Sequence, residues 1–160
     1  SVNSRFGRQS LFVTLIVTAA VVSLCFFLHL AVLTRLAKTI YHPERFPKRP
    51  LLLVIFTVFA THLVQVVLYA LALSGLDAAG YGRLTGATVG GPEWFVDHLY
   101  FSIASYTTLG IGDILPQGDI RIMAGVEALN GLVLVAWSAS FTYLAMERVW
   151  GKKHRLDTHH

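Results

Sequence analysis

Apolar and polar positions divide the chain into three long apolar runs joined by polar connections. The first extends from about Leu11 to Leu36 and is broken only by Ser, Thr, Cys25 and His29. The second extends from Leu51 to Leu73 and carries His62 and Gln65; the third, from Ile122 to Met146, carries Glu127 and Asn130. Each reaches the roughly 20 residues a helix needs to cross hydrocarbon. Backbone amides there have to be satisfied within their own segment, so the pattern predicts three transmembrane helices. The first run is too long for a cleaved signal peptide.

The connections differ in charge. Residues 38–50 contain Lys38, Arg45, Lys48 and Arg49 with prolines at 43, 47 and 50, and read as a basic cytoplasmic loop. Arg148, Lys152, Lys153 and Arg155 place the tail on the same side. From Ser74 to Arg121 the only basic residues are Arg83 and Arg121, so this region is expected outside. Three spans then put the N-terminus outside, with Arg5 and Arg8 there against the charge rule.

Within the outer region, Ser74 to Gly91 is glycine-rich and reads as irregular. Gly91-Pro92-Glu93-Trp94 marks a helix start, with Pro in the first turn and an acidic residue favoured by the helix dipole. Phe95, Leu99, Ser102, Ile103 and Tyr106 follow at helical spacing. That helix is too short to span, which predicts a re-entrant element buried by other protein. Directly after it stands Thr107-Thr108-Leu109-Gly110-Ile111-Gly112-Asp113. Glycine alternating with larger residues lets consecutive carbonyls point the same way, because glycine accepts left-handed dihedrals. Four such strips would stack oxygen cages able to replace the water around a monovalent cation. Thr108 adds a hydroxyl at the inner end, and the C-terminal end of the preceding helix favours a cation in a central cavity.

The run from Tyr100 to Asp113 resembles the pore helix and selectivity filter of the potassium channel pore-domain family. The likeness continues through Pro116, Arg121 and Gly131 and covers Leu51 to Trp150; the first span is an addition to the two-helix pore. The resemblance implies that Thr108, Leu109, Gly110 and Ile111 supply potassium-coordinating oxygens, that Gly112 completes the outer mouth, and that Asp113 anchors the filter to the pore helix. Thr107 would support it. Two positions depart from the family pattern. Ile111 stands where an aromatic residue is common and offers no phenolic hydrogen bond, and Leu109 is bulkier than the usual Val. The potassium-to-sodium ratio therefore separates the favoured reading, a potassium-selective channel, from a non-selective cation channel of the same architecture.

Ionisable groups in a membrane segment are costly, so each is a candidate. Glu127, about two turns into the third span, is read as bracing the filter from behind or drawing cations toward the cavity, against a plain interhelical hydrogen bond. Gly131 is read as a gating hinge or a close helix contact. Val135, Ala139 and Tyr143 follow it at four-residue spacing as candidate pore-lining residues. His62, Gln65 and Tyr69 share a helix face; with His29 they read as a pH-sensitive or metal site, or as satisfied buried polar groups.

Composition narrows the classes. The chain is 54% hydrophobic and 14% charged, beyond the range of an ordinary soluble domain. Its net charge of +4 sits beside the apolar runs, where orientation and headgroups account for it, and implies no nucleic-acid partner. Cys25 lies in an apolar run without a second cysteine and reads as packing. No nucleophile–base or metal-ligand spacing points to an enzyme or receptor, and no cofactor is expected beyond potassium as the permeant ion. No inverted repeat suggests a transporter. No span carries the arginine ladder of a voltage sensor.

The expected fold is an all-α membrane protein with three transmembrane helices, a re-entrant pore helix and a filter loop. It would assemble as a homotetramer in lipid, in the plasma membrane, with the C-terminus cytoplasmic. Residues 1–37 form the additional helix, 38–50 the basic loop, and 51–150 the pore domain. Within the pore domain the outer helix is expected at 51–73, the pore helix at 92–107, the filter at 108–113 and the inner helix at 120–147. Residues 151–160 read as a cytoplasmic tail, its closing histidines as the remnant of a tag.

Overall fold

The computed structural model describes residues 2–41, 50–87 and 93–157, with side chains at 8–40, 51–87 and 93–148. In chain order its elements are α1 (Val2–Tyr41), α2 (Pro50–Ala78), β1 (Gly82–Thr85), α3 (Glu93–Tyr106), β2 (Leu115–Gly118) and α4 (Ile120–Asp157). Most of the basic loop, the helix-start residues Gly91 and Pro92, and the closing histidines lie outside the described residues.

Among the described residues three helices are long and apolar enough to cross a membrane, at Arg8–Ile40, Leu51–Ala78 and Ile120–Arg148. The architecture is that of a helical membrane protein. Its helices run past the limits of their apolar runs, because backbone bonding continues until a residue breaks it. For α2 that residue is Gly80, with φ +79°. The Gly80 N–H donates to the Asp77 carbonyl at 2.9 Å and the Tyr81 N–H to Leu76 at 3.0 Å, a left-handed C-cap that only glycine adopts without strain.

The strands β1 and β2 pair antiparallel, from Gly82 opposite Gly118 to Thr85 opposite Leu115. The sequence pattern gives this region as irregular. Leu84 is the one apolar side chain that β1 buries, and β2 contains Pro116 and Gly118, so neither strand shows an alternating pattern. The short ladder ties the segment after α2 to the segment before α4.

Burial is inverted relative to a soluble domain. Phe12, Phe27, Phe56, Phe59, Leu129 and Leu144 each expose more than half their surface, while Thr14, Gln65, Glu127, Asn130 and Ser138 are buried. Apolar side chains facing lipid and polar ones facing other helices is the arrangement a hydrocarbon solvent favours. Hydroxyls in the spans turn inward on their own helix: Thr18 donates to the Thr14 carbonyl at 2.7 Å, Thr34 to Leu30 at 2.7 Å, and Thr142 to Ser138 at 2.8 Å.

Two compact units make up the chain, Ser1–Cys25 with Val64–Val133, and Phe26–Leu63 with Leu134–His160. The first contains α3, the strand pair and a buried set that includes Tyr69, Leu73, Phe101, Tyr106, Ile120 and Met123. In it Asn130 Nδ2 donates to the Tyr69 hydroxyl at 2.9 Å, and Ser10 donates to Asp119. The second packs Leu33, Leu36 and Ile40 of α1 with Val54 and Val58 of α2 and Ala145 of α4. It also encloses a polar knot. The Ser138 hydroxyl lies within hydrogen-bond distance of both rings, 2.9 Å from His62 Nε2 and 3.2 Å from His29 Nε2.

In the first unit α4 comes close to the end of α3 at Gly131, where an added Cβ would clash with the Tyr106 carbonyl oxygen. Gly131→Ala is expected to destabilise the protein by about 1–3 kcal/mol through overpacking. Gly75→Ala, at an exposed helical position whose added methyl meets nothing within 4 Å, is expected to raise stability by about 0.4–1 kcal/mol. Thermal unfolding of the two variants in detergent checks the contrast.

Candidate functional site

The site begins with α3. Its 14 residues are too few to span a bilayer. Glu93 stands in its first turn, and His98, Phe101, Ser102, Ala104 and Tyr106 form its buried side. His98 is wholly buried, with its ring centroid 4.5 Å from that of Trp94. Its Nδ1–H donates to the Trp94 carbonyl at 2.8 Å and its Nε2–H to Asp77 Oδ2 at 2.9 Å. Carbonyl and carboxylate are both acceptors, one facing each ring nitrogen. This pair fastens the first half of α3 to the end of α2. Nearer its C-terminus, Ser105 Oγ donates to the Ala124 carbonyl of α4 at 2.9 Å.

The helix ends in an unusual way. The Thr108 N–H donates to the Ser105 carbonyl at 3.0 Å and the Leu109 N–H to Ala104 at 2.8 Å. That bonding pattern is the left-handed cap normally given to glycine, and here Thr108 occupies it with φ +58°. A β-branched residue in that region is a genuine outlier costing about 1–3 kcal/mol. Gly110 and Gly112 follow with φ +58° and +84°, whereas Leu109 and Ile111 keep negative φ. The sign of φ thus alternates along the backbone from Thr108 to Gly112.

Thr107 to Asp113 are all exposed, Leu109 by 60% and Ile111 by 59%. The far end of the strip is held by Asp113. Its Oδ2 accepts from the Tyr100 hydroxyl of α3 at 2.9 Å, and its Oδ1 accepts from the Ile114 N–H at 3.0 Å. The Asp113 carboxylate raises the Tyr100 hydroxyl above the ordinary tyrosine range, mainly through this bond. The neutral phenol is the donor, so the clamp is intact at neutral pH and is lost only as pH rises through that raised value. Between α3 and the strip lies a cavity of about 250 Å³ bounded by Tyr100, Ala104, Ser105, Ile111 and Asp113.

The remaining sequence candidates fall in several places. Glu127 is fully buried beside the Ser102 and Ser105 hydroxyls of α3. Gly131 is buried against Tyr106. Val135, Ala139 and Tyr143 share an exposed face of α4 in the other unit, beside a groove of about 550 Å³ that Ile55, Phe59 and His62 also line. The histidine grouping divides. His29 and His62 meet at Ser138, Gln65 bonds Tyr106 and Cys25, and Tyr69 bonds Asn130. Among the described residues no three His, Cys, Asp or Glu side chains gather as metal ligands.

Sequence reasoning missed Tyr100 as the partner of Asp113, the His98–Asp77 pair, and the left-handed Thr108. The first two join residues 13 and 21 positions apart, and no spacing rule predicts them. The third had a signal, since a cap was needed between a helix and an extended strip.

Comparison with protein families gives a match to the model described as "Ion channel" over residues 51–148, that is, α2 to α4 without α1. The chain belongs to this ion channel family. Neither the curated proteins nor the solved structures give a match.

His98→Ala removes both donors and leaves the Asp77 carboxylate, 18% exposed in its side chain, without this partner. The variant is expected to lose about 1–3 kcal/mol of stability, read as a lowered unfolding temperature in detergent.

Proposed function

We propose that the chain is one subunit of a homotetrameric potassium-selective channel whose filter is the strip from Thr108 to Gly112. The observation that carries this reading is the alternation of backbone hand at 108, 110 and 112. A strip whose carbonyls share one side replaces the hydration shell of a cation once several strips surround a common axis. Thr108, Leu109, Gly110 and Ile111 then supply the coordinating oxygens, Gly112 forms the outer mouth, and Thr107 and Asp113 hold the two ends.

A single subunit makes one wall of such a cage, and closed cyclic symmetry supplies the others. The exposure of Leu109 and Ile111 in one chain supports this, because large apolar side chains outside the lipid-facing spans are covered when neighbours assemble. The C-terminal end of α3 adds a partial negative charge beside the inner end of the strip. Glu127 braces α3 from behind, and Val135, Ala139 and Tyr143 of α4 line the conduction path. Basic residues in the loop before the second span and after the third favour a cytoplasmic C-terminus; three spans then put the N-terminus outside, in a subunit of the plasma membrane.

One observation favours a second reading, a non-selective cation channel. Ile111 borders the cavity behind the strip and has no polar group to bond across it, which leaves the Tyr100–Asp113 clamp as the side-chain bond between strip and α3 near the outer end. Reversal potentials under opposed sodium and potassium gradients separate the two readings.

Gly110→Ala places an L side chain at φ +58° and is expected to abolish potassium flux from reconstituted vesicles, while the variant still assembles. Undiminished flux would refute the filter assignment. Tyr100→Phe, which removes the clamp alone, is expected to raise relative sodium permeability; an unchanged ratio would show that Asp113 does not hold the filter through Tyr100.

A further inference from the structure

The residue that precedes the strip is held from an unexpected direction. Tyr106 closes α3 and is 2% exposed. Its hydroxyl donates to Gln65 Oε1 of α2 at 2.6 Å, and the Gln65 amide, fully buried, donates from Nε2 to the main-chain carbonyl of Cys25 in α1 at 3.2 Å. The Cys25 carbonyl only accepts, so the amide nitrogen has to face α1 and the amide oxygen has to face Tyr106. The phenol is therefore the donor, and the bonds run in one direction from α3 through α2 to α1. The main chain of Tyr106 is fixed as well, by its close approach to Gly131 of α4. Two residues further on stands Thr108 in its strained left-handed conformation.

We propose that Gln65 is a positioning residue for ion selection, and that through it α1, the helix outside the family match, is a working part of the filter's support. The proposal rests on the reading of Thr108–Gly112 as the filter. Strain at Thr108 persists only while the surroundings over-determine it. Tyr106 is the last buried residue before the strip, and Gln65 bonds the end of its ring. When that bond is absent the ring loses this hold, the strip's inner end relaxes, and the oxygen cage around Thr108 loses the fixed size that separates potassium from sodium. A purely structural role predicts something else: a glutamine shared between two helices lowers stability when removed and leaves the ratio of permeabilities alone.

The test measures relative sodium permeability, from reversal potentials in planar bilayers, for full-length parent, Gln65→Met, Tyr106→Phe and the double variant. Methionine keeps the length of glutamine and removes both hydrogen bonds; phenylalanine removes one oxygen. Either single change is expected to raise relative sodium permeability roughly fivefold, the factor set by one ordinary hydrogen bond. The double variant is expected to match the singles, because all three break the same link. An unchanged ratio in Tyr106→Phe overturns the proposal, whether or not Gln65→Met assembles. A ratio that changes in Tyr106→Phe while an assembled Gln65→Met keeps the parent value overturns the role of Gln65. Failure of the underlying reading looks different: no cation flux from the parent, or flux that survives Gly110→Ala.

Discussion

A polar side chain surrounded by hydrocarbon has to find its partner inside the protein, and that constraint organises this molecule. It sends phenylalanines and leucines outward and collects Gln65, Asn130, Tyr69 and Ser138 between helices. Each of these then forms a specific bond to another helix, as Asn130 does to Tyr69 and Ser138 to two histidines. Interhelical bonds of this kind contribute on the order of 1 kcal/mol each. Their greater effect is directional, since they fix how helices with uniformly apolar surfaces rotate against one another.

The short helix α3 depends on that scaffold. It is buried on one side and is joined to α2 by His98 and to α4 by Ser105. Gly131 allows α4 to approach the main chain of Tyr106, an approach that any side chain would prevent. A rigid end to α3 is what permits a threonine to occupy a dihedral region that ordinarily needs glycine. Packing, strain and the exposed alternating strip form one sequence of causes, and the ion channel family to which the chain belongs is defined over those same elements.

Much of this was legible in the residues. The three spans follow from apolar runs of sufficient length, and the short helix from Glu93 and the spacing of Ser102 and Tyr106. The Gly110–Gly112 alternation announces a special backbone, and the structure gives both residues positive φ. What stayed hidden depends on neighbours rather than on spacing. His62, Gln65 and Tyr69 share a helix face, yet they bond Ser138, Tyr106 and Asn130 respectively. A helical wheel shows which residues point the same way and says nothing of what meets them at each depth. The strand pair was hidden for another reason: with Leu84 its one buried side chain in β1, it is held by backbone and a threonine hydroxyl, which leave no pattern of hydrophobicity.

The strand pair and the left-handed cap together fasten the strip at both extremities. On one side lies the cap on α3, and on the other the Asp113 clamp followed within two residues by the ladder of β2. A cord tied at each end cannot swing aside as a flap does. Its available motion is rotation of individual peptide planes about their own neighbours, at Leu109 and Ile111 between the permissive glycines. Rotation of single peptide planes between Gly110 and Gly112 leaves both of these anchors in place.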